Sequence, residues 1–511
     1  MISFNNIPTT IRTPGTFVEI DNSRAIKGLV ANPHKVLILG QKLSGASNMT
    51  GSAGTDTVMA ITKDGLADGY FGQGSILARM CNIFKKNNQN TELYAMALST
   101  PAGAVAAVKC IHTSILLSFN TGVVSTNNEQ LHLMINGSSY DLTLTSNWSV
   151  GAVNSQLSTL VNSNANCPFT FTTNAASAIV LTAKVPGEAG NYIDVRFNYF
   201  TGQSFPKCMS GHTPSGASKI ISQTTSGASN AILADAWAII DGTQYHHIVQ
   251  PYIDATNIAS LENELDDRFK PLTDLQGHGY GCVAGANASC TTLGNSRNSP
   301  YNTIMGVYDS PSDPAEWAAA VAAVAAFNLN NDPARPLQFL QVKGVLAPPE
   351  SSRFTRAERD VLLYDGISTF IIDSGGNVNL ERLITTYQRN ALGTPDPSYL
   401  DIETLFTLGE IRYQYKSRMI SRFIIPRFKL ADDTFPVQPG SYVVTPKTVK
   451  QETIALFSLL QDRGLIENLD QFIADLKVER DIADVNRVNV LLPPDLINQF
   501  RVLAGIVQFI L

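Results

Sequence analysis

Four stretches of this chain hold residue types at spacings that chemistry could use. Gly69-Tyr-Phe-Gly72-Gln-Gly74 is glycine-rich ahead of a helix-like segment, the setting in which backbone N–H groups cradle a phosphate. No lysine stands at the spacing such a loop needs, and a tight turn accounts for the glycines better. His246-His247, close to Asp241, has the composition of an acid–base or metal site. Neighbouring residues of a strand point to opposite faces, so the two rings are not expected to share one ion. Asp373-Ser374-Gly375-Gly376 follows a strand-like run, where an α/β fold puts active-site loops, although a plain turn explains it more simply. In residues 411–430, Arg412, Lys416, Arg418, Arg422, Arg427 and Lys429 stand without an acid, interleaved with Tyr413, Tyr415, Phe423 and Phe428. That mixture occurs in nucleic-acid surfaces, in docking faces for acidic proteins and in solvated helix faces packed inward by their aromatics. Lys447 and Lys450, early on the next helix-like segment, extend the same charge.

No G-x-G-x-x-G, Walker loop, H-E-x-x-H or G-x-S-x-G is present. An α/β hydrolase-like enzyme with a β insertion would need a converging nucleophile, base and orienting acid, which these motifs do not supply. A nucleic-acid-binding reading predicts strongly salt-dependent DNA retention.

The elements that would position these residues belong to a large folded chain. Its 511 residues, 44% apolar and 16% charged, are enough for about three domains with a substantial core. The low charge fits a protein with much surface buried against partners. A net charge of −6 exerts no global pull on nucleic acid or anionic membrane. The six cysteines include no C-x-x-C pair, so neither a zinc site nor a redox motif is indicated, and buried, reduced thiols are expected. The N-terminus lacks a basic segment followed by an apolar one, and no window approaches eighteen uninterrupted apolar residues. Neither a signal peptide nor a transmembrane helix is expected.

In chain order, residues 35–40 and 93–98 predict buried strands, residues 57–66 and 75–80 helices, an α/β arrangement. From 101 to 205 Thr, Ser and Asn dominate. A helix over 102–112, a hairpin about Asn136-Gly137 and strands at 179–183 and 193–197 predict an inserted β-rich domain. Residues 215–229 read as a linker, after which the α/β pattern resumes at 236–240. Strands are predicted at 280–284, 303–307, 337–340 and 369–372, with helices at 261–269, 313–327 and 356–364. Helices are predicted again at 399–421, 446–463 and 468–475.

The two ends are alike. Residues 16–20 alternate as a short strand after Pro14-Gly15, and Val488, Val490 and Leu492 alternate before Pro493-Pro494, which ends any ladder. From Phe500 to the end the chain is apolar and β-branched, broken only by Arg501 and Gln508. Such a strand is either buried in its own sheet or added to the edge of another chain's sheet.

Several of these stretches resemble the contractile tail sheath proteins of Mu-like tailed bacteriophages. They are Pro14-Gly-Thr-Phe-Val-Glu-Ile-Asp-Asn-Ser-Arg-Ala25, Val36-Leu-Ile-Leu-Gly-Gln41, Asp68-Gly-Tyr-Phe-Gly-Gln-Gly-Ser75, Tyr301-Asn-Thr303 and, most closely, residues 486–501 from Asn486-Arg-Val-Asn-Val490 through Pro493-Pro-Asp495 to Asn498-Gln-Phe-Arg501. The likeness covers most of the chain outside 101–205. It implies a multidomain α/β (α+β overall) protein: an arm (1–24), an α/β core in two parts (25–100 and 206–395), an inserted outer β-rich domain (101–205), a C-terminal tube-facing α+β domain (396–484) and a C-terminal arm (485–511). It also implies a homo-oligomer of hexameric rings stacked in a helical sheath. The other implied partners are a tail tube protein, baseplate and tail terminator proteins, without nucleic acid or direct membrane insertion. No cofactor, metal or catalytic residue is implied. The protein would be a virion component, assembled in the host cytoplasm, which contracts and drives the tube through the host envelope. Phe17, Val18, Ile20, Val488, Val490, Phe500 and Val502 are then expected as inter-subunit arm strands. Charge makes Arg412, Lys416, Lys447 and Lys450 the candidates for gripping the tube. A sheath of a phage-tail-like bacteriocin or injection device would read the same way.

Overall fold

The computed structural model describes residues 13, 15–16, 29–43, 50–111, 129–144, 150–174, 178–206, 221–438 and 440–510. The chain forms two compact units, one of Pro33–Gly409 with Asn498–Leu511, the other of Met1–Asn32 with Glu410–Ile497.

In the larger unit the strands Asn302–Val307, His278–Ala284, His247–Val249, Lys35–Gln41, Glu92–Leu98 and Val58–Ala60 lie side by side in that order. The first five are parallel and the last is antiparallel. Parallel strands need crossovers that cover both faces, so most of their residues are buried. Val36 and Ile38 join the core beneath the helices Ile76–Asn87 and Pro314–Asn331, whereas Leu37 and Leu39 join the core on the opposite face with Leu261 and Leu265 of the helix Ala255–Phe269. The alanine-rich helix Pro314–Asn331 is buried along most of its length, which an almost wholly apolar circumference requires. Asp313 caps it by accepting from Ala315 N, and Pro314 opens it.

Residues 57–66 do not form one helix. Val58–Ala60 is the edge strand, Gly65 turns the chain at φ +72°, and a helix runs over Leu66–Phe71. The segment 337–340 is not a regular strand either. Phe339 has φ +56°, although Phe339 N donates to Leu380 O and Leu380 N to Leu340 O. Residues 236–240 overlap a short helix, Ala234–Trp237.

The insertion interrupts the connection between Glu92–Leu98 and His247–Val249 and has a core of its own. One sheet orders Ile221–Thr225, Val108–Ile111, Ala178–Ala183 and Phe169–Asn174, a second orders Ser138–Leu144, Glu129–Ile135 and Val195–Phe197, and both are antiparallel throughout. Two sequence expectations change here. The alanine-rich start is strand rather than helix, because Val108–Ile111 is paired on both edges. Part of the expected linker, Ile221–Thr225, is one of those partners. The hairpin at Asn136-Gly137 forms as expected, with both residues at positive φ (47° and 72°), the combination that favours this dipeptide.

A polar seam fixes that turn to the start of the helix Pro314–Asn331. Asn136 Nδ2 donates to Glu316 Oε1 at 2.7 Å, and Asp313 N donates to Asn136 Oδ1 at 2.9 Å. Arg79 bridges Asp313 and Glu316, at 2.8 Å each, with little exposure on any of the three. Burial pushes the Glu316 carboxyl up and Arg79 pulls it back. Removing one member of such a cluster leaves the others charged in a dry interior. Arg79→Ala is therefore expected to destabilise the larger unit by about 3–5 kcal/mol, measured by urea unfolding of the unassembled subunit. A loss below about 1 kcal/mol, the range of exposed pairs, would contradict the arrangement.

In the smaller unit, Ile402–Met419 supplies its second half and is followed by one wide turn, Ile420–Ile424. The helix Pro446–Asp462, capped by Thr445, is followed by Gly464 at φ +73°. Phe457 stacks on Phe472 of the helix Leu469–Asp475, ring centroids 3.9 Å apart. Its described residues also form three two-stranded ribbons: Lys429–Leu430 with Val443–Val444, Ile466–Glu467 with Asp495–Leu496, and Lys477–Arg480 with Val488–Leu491. Val30 N donates to Gln414 Oε1 and Tyr413 Oη to Ala31 O, so the end of the N-terminal segment is held on this unit.

Candidate assembly interface

The C-terminal segment has a held part and an open part. Val488–Leu491 pairs antiparallel with Lys477–Arg480 of the same chain, placing Val488 opposite Arg480 and Val490 opposite Val478. Pro493-Pro494 separates this strand from the short strand Asp495–Leu496, as their missing N–H groups require. In the larger unit, Phe500 O accepts from Gln338 Nε2 at 3.3 Å. Arg501 Nη2 lies 3.0 Å from Asp401 Oδ1 and 2.9 Å from Glu403 Oε1. Glu403 is fully buried and also accepts from Leu337 N at 2.6 Å. Burial pushes its carboxyl up, and Arg501 opposes that shift. Asp401 is held a second time by Arg382, through two bonds of 2.9 Å. Beyond Arg501 the chain has no secondary structure to residue 510. Its apolar side chains stand in solvent, from Val502 at 82% exposure to Ile510 at 99%. Phe17, Val18 and Ile20, the expected strand of the other arm, lie outside the described residues.

The basic stretch is less free than its composition suggests. Arg418 and Arg422 both reach Glu452 on the helix Pro446–Asp462, at 2.5 and 3.1 Å. Arg412 and Lys416 share a helix face by their i,i+4 spacing, the first half-buried and the second exposed. Lys447 is exposed, and its backbone N–H donates to Asp433. Lys450 Nζ donates to Leu476 O at 2.9 Å, so this ammonium already serves the end of a helix. Ile424 and Ile425, each 69% exposed, add an exposed apolar pair near Arg422, Arg427 and Lys429 in the chain. The clustered Ile-Ile beside arginine was the signal for it in the sequence.

In the glycine stretch 69–74, residues 69–71 close the helix Leu66–Phe71 and 72–74 form the turn that follows. Gly72 and Gly74 have φ +85° and +82°, Ser75 caps the following helix, and a Cβ at Gly74 would fall 2.7 Å from Cys167 O. Asp373 accepts from Gly375 N and Asn377 N, both at 2.9 Å, and closes the hairpin between Thr369–Ile372 and Val378–Arg382. The five described cysteines are buried and free, and Cys208 lies outside the described residues.

The histidines form a cluster that strand alternation did not foretell. His246 precedes its strand, which begins at His247, so both rings meet His34: His246 stacks on it at 4.4 Å and His247 Nε2 lies 3.1 Å from its Nδ1. His247 Nδ1 is 2.9 Å from Tyr280 Oη, and His278 Nε2 is 2.8 Å from Thr303 Oγ1. Thr303 donates onward to Ile384 O, so His278 donates from Nε2, and its buried Nδ1 has no partner among the described residues. Phe406 packs against His34, His247 and His278, and Lys35, whose N–H donates to His246 Nδ1, is the nearby cation. No group of His, Cys, Asp or Glu able to hold a metal ion occurs among the described residues. No described helix is long and apolar enough to cross a membrane.

The family model for the phage tail sheath protein central domain matches residues 226–386, and that for the phage tail sheath C-terminal domain matches 394–510. The chain is 37% identical over 511 residues, 100% of both proteins, to the Mu-like prophage FluMu tail sheath protein of Haemophilus influenzae. The chain belongs to the phage tail sheath family. Solved structures similar to this sheath protein include a sheath tail protein of Desulfitobacterium hafniense, at 12% identity and a TM-score of 0.46 over 94% of this chain and 100% of that one. Another is a sheath tail protein of Listeria innocua, at 13% identity and 0.47 over 92% and 93%. The helical sheath of the anti-feeding prophage in its contracted state matches at 10% and 0.45 over 98% and 99%.

In this sheath protein, a structural component of the phage tail, His34, His246, His247 and His278 are all buried. Burial lowers all four, His246 to about 4 and His278 to about 3, with His34 and His247 well below the ordinary value. Unfolding returns these rings to about 6.5, so the unfolded chain binds more protons between the two values. Their contribution is complete above about pH 6.5 and is lost as pH falls through the folded-state values. Urea unfolding of the sheath protein is expected to show stability falling steadily from pH 6.5 toward 4, with a shallower slope in His246→Gln. Stability rising across that window would be the contrary result.

Proposed function

We propose that this chain is the repeating subunit of a contractile sheath. Copies stack as hexameric rings into a helical sleeve on a tail tube, bounded by baseplate and tail terminator proteins. On a baseplate signal the sleeve shortens and drives the tube through the host envelope for genome delivery. The subunit acts in the virion after assembly in the host cytoplasm, without cofactor, nucleic acid or membrane insertion. The observation that carries this reading is the likeness to a tail sheath protein along the full length of both chains.

Physical features support it. Among the described residues the ribbon of Lys477–Arg480 and Val488–Leu491 has two strands, and an isolated two-stranded ribbon is marginal in water. Val488 and Val490 are half-buried there and offer an edge to incoming strands. Val502 begins the segment that a neighbour receives, with Phe500 held on its own subunit just before it, and Phe17, Val18 and Ile20 are expected to serve in the same way in the N-terminal arm. Contacts that pass from copy to copy without closing generate a helix, and strand addition keeps copies joined while their other faces slide. The work comes from new interfaces between subunits that form as the sleeve shortens.

Arg412, Lys416 and Lys447 present positive charge toward an acidic tube, with Lys450 supporting the surface from its bond to Leu476 O. Electron microscopy of the chain co-expressed with its tube protein is expected to show sheathed tubes, and a persistent monomer in the presence of tube would overturn the reading. Reversing Arg412, Lys416 and Lys447 to Glu is expected to weaken tube binding at least about tenfold with an unchanged thermal melt. Undiminished co-assembly would remove these residues from the grip.

A further inference from the structure

We propose that Arg501 is the anchor at which the C-terminal arm leaves its own subunit, so that the segment donated to a second copy of this chain begins at residue 502. The inference rests on the reading that the arm is exchanged, and adds where the exchange begins and what holds it.

The contrast on either side of Arg501 carries the argument. Upstream, the Phe500 carbonyl is bonded by Gln338, and the Arg501 guanidinium is inserted between Asp401 and Glu403. Both carboxylates belong to the start of the helix Ile402–Met419, and each has a further partner, Arg382 for Asp401 and Leu337 N for Glu403. Withdrawing Arg501 would leave Glu403, with no exposed side-chain surface, charged and unpaired by any cation. Downstream, Val502, Leu503, Ile506, Val507, Phe509 and Ile510 are all strongly exposed, and 502–510 form no backbone hydrogen bond among the described residues. Free backbone donors beside bulky apolar side chains are what an incoming edge strand brings to a sheet. Load carried along that strand meets the ion cluster first, and the fold of the donor is spared. Nε and Nη1 of Arg501 and Oε2 of Glu403 are buried without partners among the described residues, so the anchor can still take further bonds.

Limited proteolysis of the unassembled full chain tests the boundary. Trypsin is expected to cut after Arg501 at least tenfold more slowly than after the exposed Arg487, while thermolysin removes residues beyond 502 rapidly. In Glu403→Gln, tryptic cleavage after Arg501 accelerates at least tenfold. Equal cleavage at Arg501 and Arg487 in the unaltered chain, or protection extending past 502, overturns the anchor without recourse to any variant. Assembly separates it from the reading beneath it. Arg501→Met combined with Glu403→Gln removes both charges together, and a thermal melt checks that it folds. This variant is expected to give sheaths at least tenfold shorter, and a chain ending at Arg501 is expected to give none. Full-length sheaths from the double variant alone would overturn the anchor and leave strand exchange standing. Full-length sheaths from both would overturn strand exchange itself.

Discussion

Parallel strands cannot be joined by tight turns, and that constraint arranges the larger unit. Each return to the sheet crosses over, so Lys35–Gln41 is covered on both faces and alternate residues feed two separate cores. The helix Pro314–Asn331 can lie against the sheet because its alanines bring no bulk. One crossover, between Glu92–Leu98 and His247–Val249, has accepted a whole antiparallel domain. A crossover tolerates this because its length is not set by strand register, and the insertion has its own core to meet the entropy of ordering.

Charge is scarce in this chain, and much of it works inside. Arg79 with Asp313 and Glu316 joins the insertion's turn to the helix beneath it. Arg501 with Asp401 and Glu403 holds the point where the tail emerges. Ion clusters of this kind add little net stability compared with apolar packing, but they are costly to break one member at a time. They suit places where position matters more than affinity, such as the root of an insertion or of an arm.

On the proposed assembly the chain is unfinished alone for a physical reason. A ribbon of two short strands lacks the neighbours a stable sheet needs, and a run of exposed apolar residues at the terminus lacks cover. Each supplies what the other is missing when they belong to different copies. A tail sheath must stay continuous while it changes shape, and backbone pairing across copies is insensitive to the side-chain surfaces that slide.

Most of the regular elements were legible in the sequence because their periodicity is local. The buried strands at 35–40 and 93–98, the Asn136-Gly137 hairpin, the capped helix after Asp313 and the helices around 402–419 and 446–462 are all found near where pattern and caps put them. So was the anomaly of the apolar C-terminus. What the sequence could not disclose were pairings between distant residues. Alanine-rich 102–112 looked helical because propensity is a property of neighbours, and a two-sided sheet overrode it. Val488 and Val490, expected as arm strands, pair just upstream with Lys477–Arg480 of the same chain. His34 meets His246, Glu452 neutralises two arginines on an earlier part of the chain, and Arg501 finds Glu403. The sequence by itself determined most of the segments that must be buried, and the family. Only the tertiary structure decided which charges are spent inside and where the tail comes free, because a charge is satisfied by whatever lies within about 4 Å in space, and sequence order does not record that distance.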